Sequence, residues 1–231
     1  MTSDGSKPVQ FAQCAPPAQP PVRQDHTVVR TQKTCRQVFL LYQGQAGRMM
    51  MDPLAFLRTA GLTDRNLVMM GDRTKRFYQH GLSADIPNIP SFMAWQKQLL
   101  ERMPHASDVM CVGSSSGAYA AILSGYFLKA REVWAFAPPT DLKTVCEEFG
   151  GTEILDPNYA DLRPFLENGN GVTKYHIFYN ESATHDRVAA LRLQSCDGVV
   201  LHSERGTGHG VVIHLAETGK LKTLMPAFAP A

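Results

Sequence analysis

The chain has 231 residues, with 23 lysines and arginines against 21 aspartates and glutamates, so its formal net charge at pH 7 is only +2. This near-balance, without a block of basic residues, excludes a protein that binds nucleic acid or anionic lipid mainly through its charge. Apolar residues make up 44% of the chain, close to the globular average of about 45–50%, which excludes a chain that is disordered throughout.

The first 25 residues are rich in proline, glutamine and alanine, a composition that favours an extended or disordered tail. Residues 26–231 are predicted to form one domain, because this length suits a single α/β unit. Within it, short apolar runs alternate with longer segments of helical character, the pattern of parallel strands joined by helices. The predicted strands are 38–42, 66–70, 108–112, 133–136, 175–179 and 199–202, with 27–30 as a candidate edge strand.

Helical segments separate these strands and cover both faces of the sheet that they form. The predicted helices are 52–60, 91–103, 116–130, 141–149, 185–193 and 209–219. Nearly continuous apolar strands are typical of a sheet buried on both faces. We therefore predict an α/β fold with an open, doubly wound, mostly parallel sheet. Residues 151–173 are predicted to be an irregular excursion, long enough for a small lid but too short for a second domain.

The sequence carries no signal for secretion, membrane insertion or metal binding. Residues 1–8 lack the apolar stretch of a secretory signal, and no segment approaches the roughly 18 apolar residues of a membrane span. The five cysteines are an odd number without metal-binding spacing. We expect a cytoplasmic protein with free thiols and no membrane span.

The stretch Gly113-Ser114-Ser115-Ser116-Gly117 lies between a predicted strand and a predicted helix. A G-x-S-x-G sequence in this context is typical of a nucleophile elbow, where the middle serine occupies a strained turn and a side chain at either glycine would collide with a neighbouring element. Ser115 is therefore the predicted nucleophile. The backbone N–H of Ser116, at the N-terminus of the helix, is a predicted oxyanion donor. The alternative is a polar, serine-rich loop.

A serine hydroxyl needs a base to activate it and an acid to orient that base, and after such an elbow the order along the chain is serine, acid, histidine. His209 is bracketed by glycines where a loop enters the last predicted helix, and it is the predicted base. His176 and His202 lie on predicted strands, and His214 lies in an apolar run. We interpret these three as structural.

The acid is expected in the loop after the strand 175–179. Asp186 is the first choice, with capping of the next helix as the competing interpretation. Glu181, nearer the end of the strand, is the second choice. Asp141, after the preceding strand, is the third.

With an elbow, a late acid loop and a Gly-His loop in this order, the chain resembles the α/β-hydrolase superfamily from about residue 36 onward. The resemblance implies a compact serine esterase, thioesterase or acyltransferase with little room for a cap. It also implies a second oxyanion donor from the loop after the first long strand, where the backbone N–H of Gln45 is the match. This loop lacks the HGGG form of many lipases.

Asp72 lies at the carboxyl end of a predicted strand, where ligands bind in open α/β sheets. We predict a contact between Asp72 and a polar substrate or acceptor. The alternative is that its carboxylate only caps a turn or a helix.

These residues together predict cleavage of an ester or thioester through an acyl-serine intermediate. The expected substrate is an uncharged small molecule, free or bound to a carrier, and the chemistry requires neither a metal nor a cofactor. An acyltransferase that passes the acyl group to an alcohol or amine is the first alternative. A non-catalytic ligand-binding protein on a hydrolase scaffold is the second.

Overall fold

The structure is a computed structural model that describes residues 22–24, 27–31, 35–103, 105, 107–150 and 153–224. Its strands are β1 (Val22–Gln24), β2 (Thr27–Arg30), β3 (Gln37–Tyr42), β4 (Asn66–Met70), β5 (Asp108–Ser114), β6 (Glu132–Phe136), β7 (Lys174–Asn180) and β8 (Val199–Glu204). Its helices are α1 (Pro53–Thr59), α2 (Ile89–Glu101), α3 (Ser116–Leu128), α4 (Leu142–Phe149), α5 (Arg163–Asn168), α6 (Thr184–Leu191), α7 (Val211–Glu217) and α8 (Lys220–Leu224), with a 3₁₀ turn at Pro157–Tyr159.

The described strands form one eight-stranded sheet in the order β1-β2-β4-β3-β5-β6-β7-β8. Strands β3 to β8 pair in parallel, whereas β1 and β2 are antiparallel additions beside β4. The predicted open, mostly parallel sheet is therefore confirmed. The strand predicted at Thr27–Arg30 is present, but it is not at the edge of the sheet, because β1 pairs with its outer side.

Each face of the sheet packs against its own set of helices. On β3, Val38 and Leu40 join a core layer with buried residues of α2 to α6, and the alternating residues Phe39 and Leu41 join another with α1, α7 and α8. Successive side chains of a strand point to opposite faces, so an almost wholly apolar strand supplies both layers. The sheet is thus doubly wound.

Parallel pairing brings the carboxyl ends of the strands to one edge of the sheet. Ser114 pairs with Phe136, Phe136 with Phe178, and Phe178 with His202 across β5 to β8. The loops that follow these strands carry the predicted nucleophile, acid and base. Ligands bind at this edge in open α/β sheets.

Several predicted boundaries differ from the structure. The last residues of the predicted tail include Val22–Gln24, which form β1, while residues 1–21 and 25 lie outside the described residues. The excursion contains α5, which is only six residues long and too short for helical periodicity to stand out. The final predicted helix, 209–219, is the shorter helix α7, and His209 lies in the loop before it. The short helix α8 follows α7 and was not predicted. The extent of the tail and of the single domain stays a prediction.

None of the helices in the described part of the chain has both the length and the apolar character needed to cross a bilayer. The same residues contain no group of three or more histidine, cysteine, aspartate or glutamate side chains arranged to hold a metal ion.

Candidate active site

The turn between β5 and α3 holds Ser115 in a conformation that serine rarely adopts. Its φ is 54° and its ψ is −126°, and it is the N-cap residue of α3. A non-glycine residue at positive φ is strained, and such strain persists only where the surroundings impose it. Here the backbone N–H of Ser115 donates to the carbonyl oxygen of Phe136 at 2.8 Å, which ties the turn to the end of β6.

The flanking glycines leave no room for a side chain. A Cβ at Gly113 would lie 2.3 Å from the carbonyl oxygen of Gly117, and one at Gly117 would lie 2.1 Å from the carbonyl oxygen of Tyr42. Both contacts are with backbone atoms, which cannot swing aside as a flexible side chain can. The predicted reason for the two glycines is confirmed.

Of the three adjacent serines, Ser115 alone has a partly exposed side chain, whereas Ser114 and Ser116 are fully buried. The Ser114 hydroxyl donates to the carbonyl oxygen of Arg48 at 3.3 Å. The Ser116 hydroxyl has no hydrogen-bond partner among the described residues. The backbone N–H of Ser116 is the first of α3, and a helix offers no internal partner to that group. Its role as an oxyanion donor stays a prediction.

The structure brings Asp186 and His209 together. His209 Nδ1 lies 2.9 Å from each carboxylate oxygen of Asp186. The side chain of Asp186 is only 12% exposed, whereas that of His209 is 53% exposed. When Nδ1–H donates to a carboxylate, Nε2 of the neutral ring keeps its lone pair and can accept a proton.

The three candidate acids differ in their contacts. Asp186 is within the first turn of α6, whose N-cap residue is Ala183, so it is not the capping residue. Glu181 accepts a hydrogen bond from the Ser203 hydroxyl at 3.0 Å. Asp141 caps α4 through the N–H of Lys143. Within the described residues, neither Glu181 nor Asp141 contacts His209.

The hydroxyl of Ser115 and the imidazole of His209 make no hydrogen bond in the described part of the chain. Such contacts are commonly long in an unliganded site and tighten only when substrate binds. In this structure the hydrogen bond between Asp186 and His209 is formed, whereas the one between His209 and Ser115 is not.

The loop after β3 lies against the elbow. A Cβ on Gly44 would lie 3.4 Å from the Cβ of Ser115, so the backbone passes directly beside the serine. The N–H of Gly44 donates to the carbonyl oxygen of Arg48 at 2.8 Å. The backbone N–H of Gln45 makes no hydrogen bond among the described residues, while its side chain donates to the carbonyl oxygen of Lys75 at 3.2 Å. Of Gly44 and Gln45, therefore, only Gln45 has a backbone N–H without a hydrogen-bond partner among the described residues.

The predicted contact of Asp72 with substrate stays a prediction, and the structure shows what its carboxylate binds within the protein. Its side chain is buried and accepts four hydrogen bonds, from the N–H and hydroxyl of Thr74 and from the N–H groups of Arg76 and Tyr78. Both carboxylate oxygens are therefore used within the loop after β4. The alternative interpretation, that Asp72 organises a turn, accounts for these contacts.

The same loop carries an interaction that the sequence did not indicate. Tyr78 has a positive φ of 60°, and its hydroxyl donates to the carbonyl oxygens of Gln43 and Met70 at 2.8 and 3.0 Å. Burial raises the pKa of Tyr78 well above its usual value, so the phenol stays protonated as a donor. Asp72, through Tyr78, thus supports the end of β3 beside Gly44. Neither left-handed backbone at an aromatic residue nor this contact has a signal in the sequence.

The contacts of His176, His202 and His214 are consistent with the structural roles predicted for them. His176 Nδ1 lies 2.9 Å from His202 Nε2, and the two rings stack. Burial and the neighbouring His176 lower the pKa of His202. His214 lies 3.7 Å from Glu204 and does not take part in the Asp186–His209 contact.

No protein-family model and no curated protein sequence matches the chain. Solved structures do. Est1E from Butyrivibrio proteoclasticus superimposes with a TM-score of 0.62 at 11% identity, covering 87% of this chain and 93% of the other. An esterase from Pyrobaculum calidifontis gives 0.61 at 12% identity, covering 87% and 79%. TT1662 from Thermus thermophilus gives 0.60 at 15% identity, covering 91% and 99%. Together with the doubly wound sheet and the elbow, these similarities show that the chain has the α/β-hydrolase fold.

Proposed function

We propose that the protein is a serine hydrolase that cleaves a carboxylic ester or thioester through an acyl-serine intermediate. The observation that carries the proposal is the strained, partly exposed Ser115 at the N-terminus of α3, with both neighbouring serines buried. The Asp186–His209 contact at the same edge of the sheet supports it, because it provides a base with a free Nε2. The esterases among the structural neighbours support it more weakly, since similarity at this identity concerns the fold.

In the proposed reaction the Ser115 hydroxyl attacks the carbonyl carbon while His209 Nε2 takes its proton. The carbonyl π electrons move onto oxygen, and the backbone N–H groups of Ser116 and Gln45 stabilise that oxyanion. The tetrahedral intermediate then collapses and expels the alkoxide or thiolate, to which His209 returns the proton. Asp186 stabilises the imidazolium between these steps.

The acyl-serine ester is then cleaved by the same steps with water as nucleophile. His209 takes a proton from water, the hydroxide adds to the acyl carbon, and Ser115 leaves with the proton that His209 carried. Because the His209 side chain is 53% exposed, water can approach the base. This exposure favours hydrolysis over transfer to another acceptor, which requires water to be kept out.

The direct test is Ser115→Ala, assayed with p-nitrophenyl esters of two to eight carbons. We expect kcat to fall by roughly 10⁴-fold or more, with the far-UV circular dichroism unchanged. Ser114→Ala and Ser116→Ala are matched controls, because they remove a hydroxyl one residue to either side and keep the backbone donor of Ser116. We expect each control to retain activity within about tenfold.

A fluorophosphonate probe separates the proposal from a non-catalytic binding protein. We expect an adduct on Ser115, located by peptide mass spectrometry, and none in Ser115→Ala. A protein that forms no adduct, or one in which Ser115→Ala stays fully active, would contradict the assignment.

A further inference from the structure

A buried amide joins the end of β7 to the loop that carries His209. Asn180 is the last residue of β7 and is fully buried. Its Nδ2 donates to the carbonyl oxygen of Gly208 at 2.9 Å and, more weakly, to that of Thr207 at 3.4 Å. These carbonyls belong to the two residues that precede His209.

A second side chain from the same end of β7 holds the start of this loop. The Ser182 hydroxyl donates to the carbonyl oxygen of Gly206 at 2.8 Å. Gly206 itself lies against the amide, since a Cβ there would come within 2.5 Å of Asn180 Oδ1. The backbone before His209 is therefore held at residues 206–208 by side chains from β7 and the loop after it.

The imidazole needs this support because little else holds it. Among the described residues, the side-chain hydrogen bonds of His209 go only to Asp186, and more than half of its side chain is exposed. Gly208, directly before it, has a φ of 60° and space around it, so the loop has conformational freedom of its own. A loop that drifted by an ångström would carry Nε2 away from Ser115.

The hydrogen bonding of Asn180 indicates that stability alone does not explain this residue. Its Oδ1 is buried and has no hydrogen-bond partner within the described residues. An unpartnered buried acceptor destabilises a fold, whereas an apolar residue of the same shape would not. The half of the amide that makes hydrogen bonds is Nδ2, which binds the carbonyls of the two residues before His209.

We propose that Asn180 is a positioning residue, which fixes the loop 206–208 so that His209 stays between Asp186 and Ser115. This inference rests on the proposed function, because it gives Asn180 a role only through His209. Asn180 touches neither substrate nor the reacting atoms. Its effect is expected in the rate of the chemical step and not in substrate binding.

The test replaces Asn180 with leucine, which is similar in shape and has no polar group. Because Gly208 is exposed, water can satisfy the carbonyl that loses its donor. We expect Asn180→Leu to lower kcat for p-nitrophenyl butyrate by roughly 10- to 100-fold, with KM within about twofold and Tm within a few degrees of wild type. Asn180→Ala, a second variant that introduces no bulk, is expected to show the same loss of kcat.

Asn66→Ala is the matched control. Asn66 is also a buried strand asparagine whose Nδ2 donates to two backbone carbonyls, those of Cys35 and Gln37, but it lies at the amino end of β4, away from the site. We expect this variant to lower Tm and to leave kcat within twofold of wild type. A positioning role and a structural role thus give opposite patterns of kcat and Tm.

A double mutant in the His209→Ala background completes the test. If Asn180 acts through His209, Asn180→Leu will cause less than a twofold further loss of the residual rate. Wild-type kcat in both Asn180 variants, or the same fold-loss with and without His209, would overturn the positioning role alone. Full activity of His209→Ala would overturn the proposed function, and the inference with it.

Discussion

The two sides of the candidate active site are built from different kinds of contact. On the side of the nucleophile, main-chain atoms fix Ser115, with the carbonyl of Tyr42 closing on Gly117 and the carbonyl of Phe136 holding the Ser115 amide. On the side of the base, side chains hold His209 through the carboxylate of Asp186 and the amide of Asn180. The residues that flank Ser115 are buried, whereas the side chain of His209 is 53% exposed. The proposed nucleophile is therefore positioned by the main chain of the fold, whereas the proposed base is positioned by a few side chains that can be replaced.

The largest expected effect is on the main-chain side, from Gly117→Ala. In an ordinary helix this change stabilises by about 0.5–1 kcal/mol, because alanine loses less entropy than glycine. Here the new Cβ would meet the Tyr42 carbonyl at 2.1 Å, so the sign should reverse. We expect a loss of about 3 kcal/mol or more in the free energy of unfolding, measured in urea, together with loss of esterase activity.

Gly210→Ala is the control for this change, because a Cβ there would make only an ordinary contact of 3.4 Å with Ile213. Its free energy of unfolding should stay within about 0.5 kcal/mol of wild type. Equal stability of the two variants would remove the contrast between the two sides of the site.

The next effect concerns the side-chain side, from Asp186→Asn. The change keeps the shape and removes the charge that stabilises the imidazolium, and it favours the wrong tautomer of His209. We expect kcat to fall by on the order of 10³-fold or more, with Tm little changed. Glu181→Gln, in the loop before α6 and bonded to Ser203, should retain nearly full kcat. Equal losses in the two variants would contradict the choice of Asp186.

The smallest effect is expected from Asp72→Asn. This change tests whether the loop after β4, which Asp72 organises, supports the side of the site that holds Ser115. Each carboxylate oxygen of Asp72 accepts two hydrogen bonds, so the amide NH₂ would face donors in either orientation. We expect a loss of about 1–3 kcal/mol in the free energy of unfolding and an unchanged KM. Asp85→Asn, exposed on the same loop, should change neither quantity. A raised KM with unchanged stability would support the predicted substrate contact of Asp72.

The difference between main-chain contacts around Ser115 and side-chain contacts around His209 also explains how much of the site the sequence could predict. The elbow was predicted because strand, turn and helix are contiguous, and two glycines in five residues are required by local backbone contacts. The parallel strands were predicted because continuous apolar runs mark a sheet buried on both faces. The order of acid and base along the chain was visible, whereas the choice of Asp186 over Glu181 depends on how two loops fold against each other.

The contacts that the sequence did not indicate join distant segments. Asn180 and Gly208 are 28 residues apart, and Tyr78 and Gln43 are 35 apart. An asparagine at the end of a strand is ordinary, and only the tertiary structure shows which carbonyls it meets. The hydrogen-bond partners of Asp72 could not be predicted for the same reason, since a carboxylate at the sheet edge can contact a substrate or its own loop.

The antiparallel strand β2 covers the backbone edge of β4. Without β2, the backbone edge of β4 would expose unpaired N–H and C=O groups along residues 67–70, flanked by buried apolar side chains. Such an edge is a template for intermolecular pairing and aggregation. A version of the chain shortened to begin after Arg30 would keep every residue of the candidate active site. It would nevertheless present an open, apolar edge, and it should precipitate at concentrations that the longer chain tolerates.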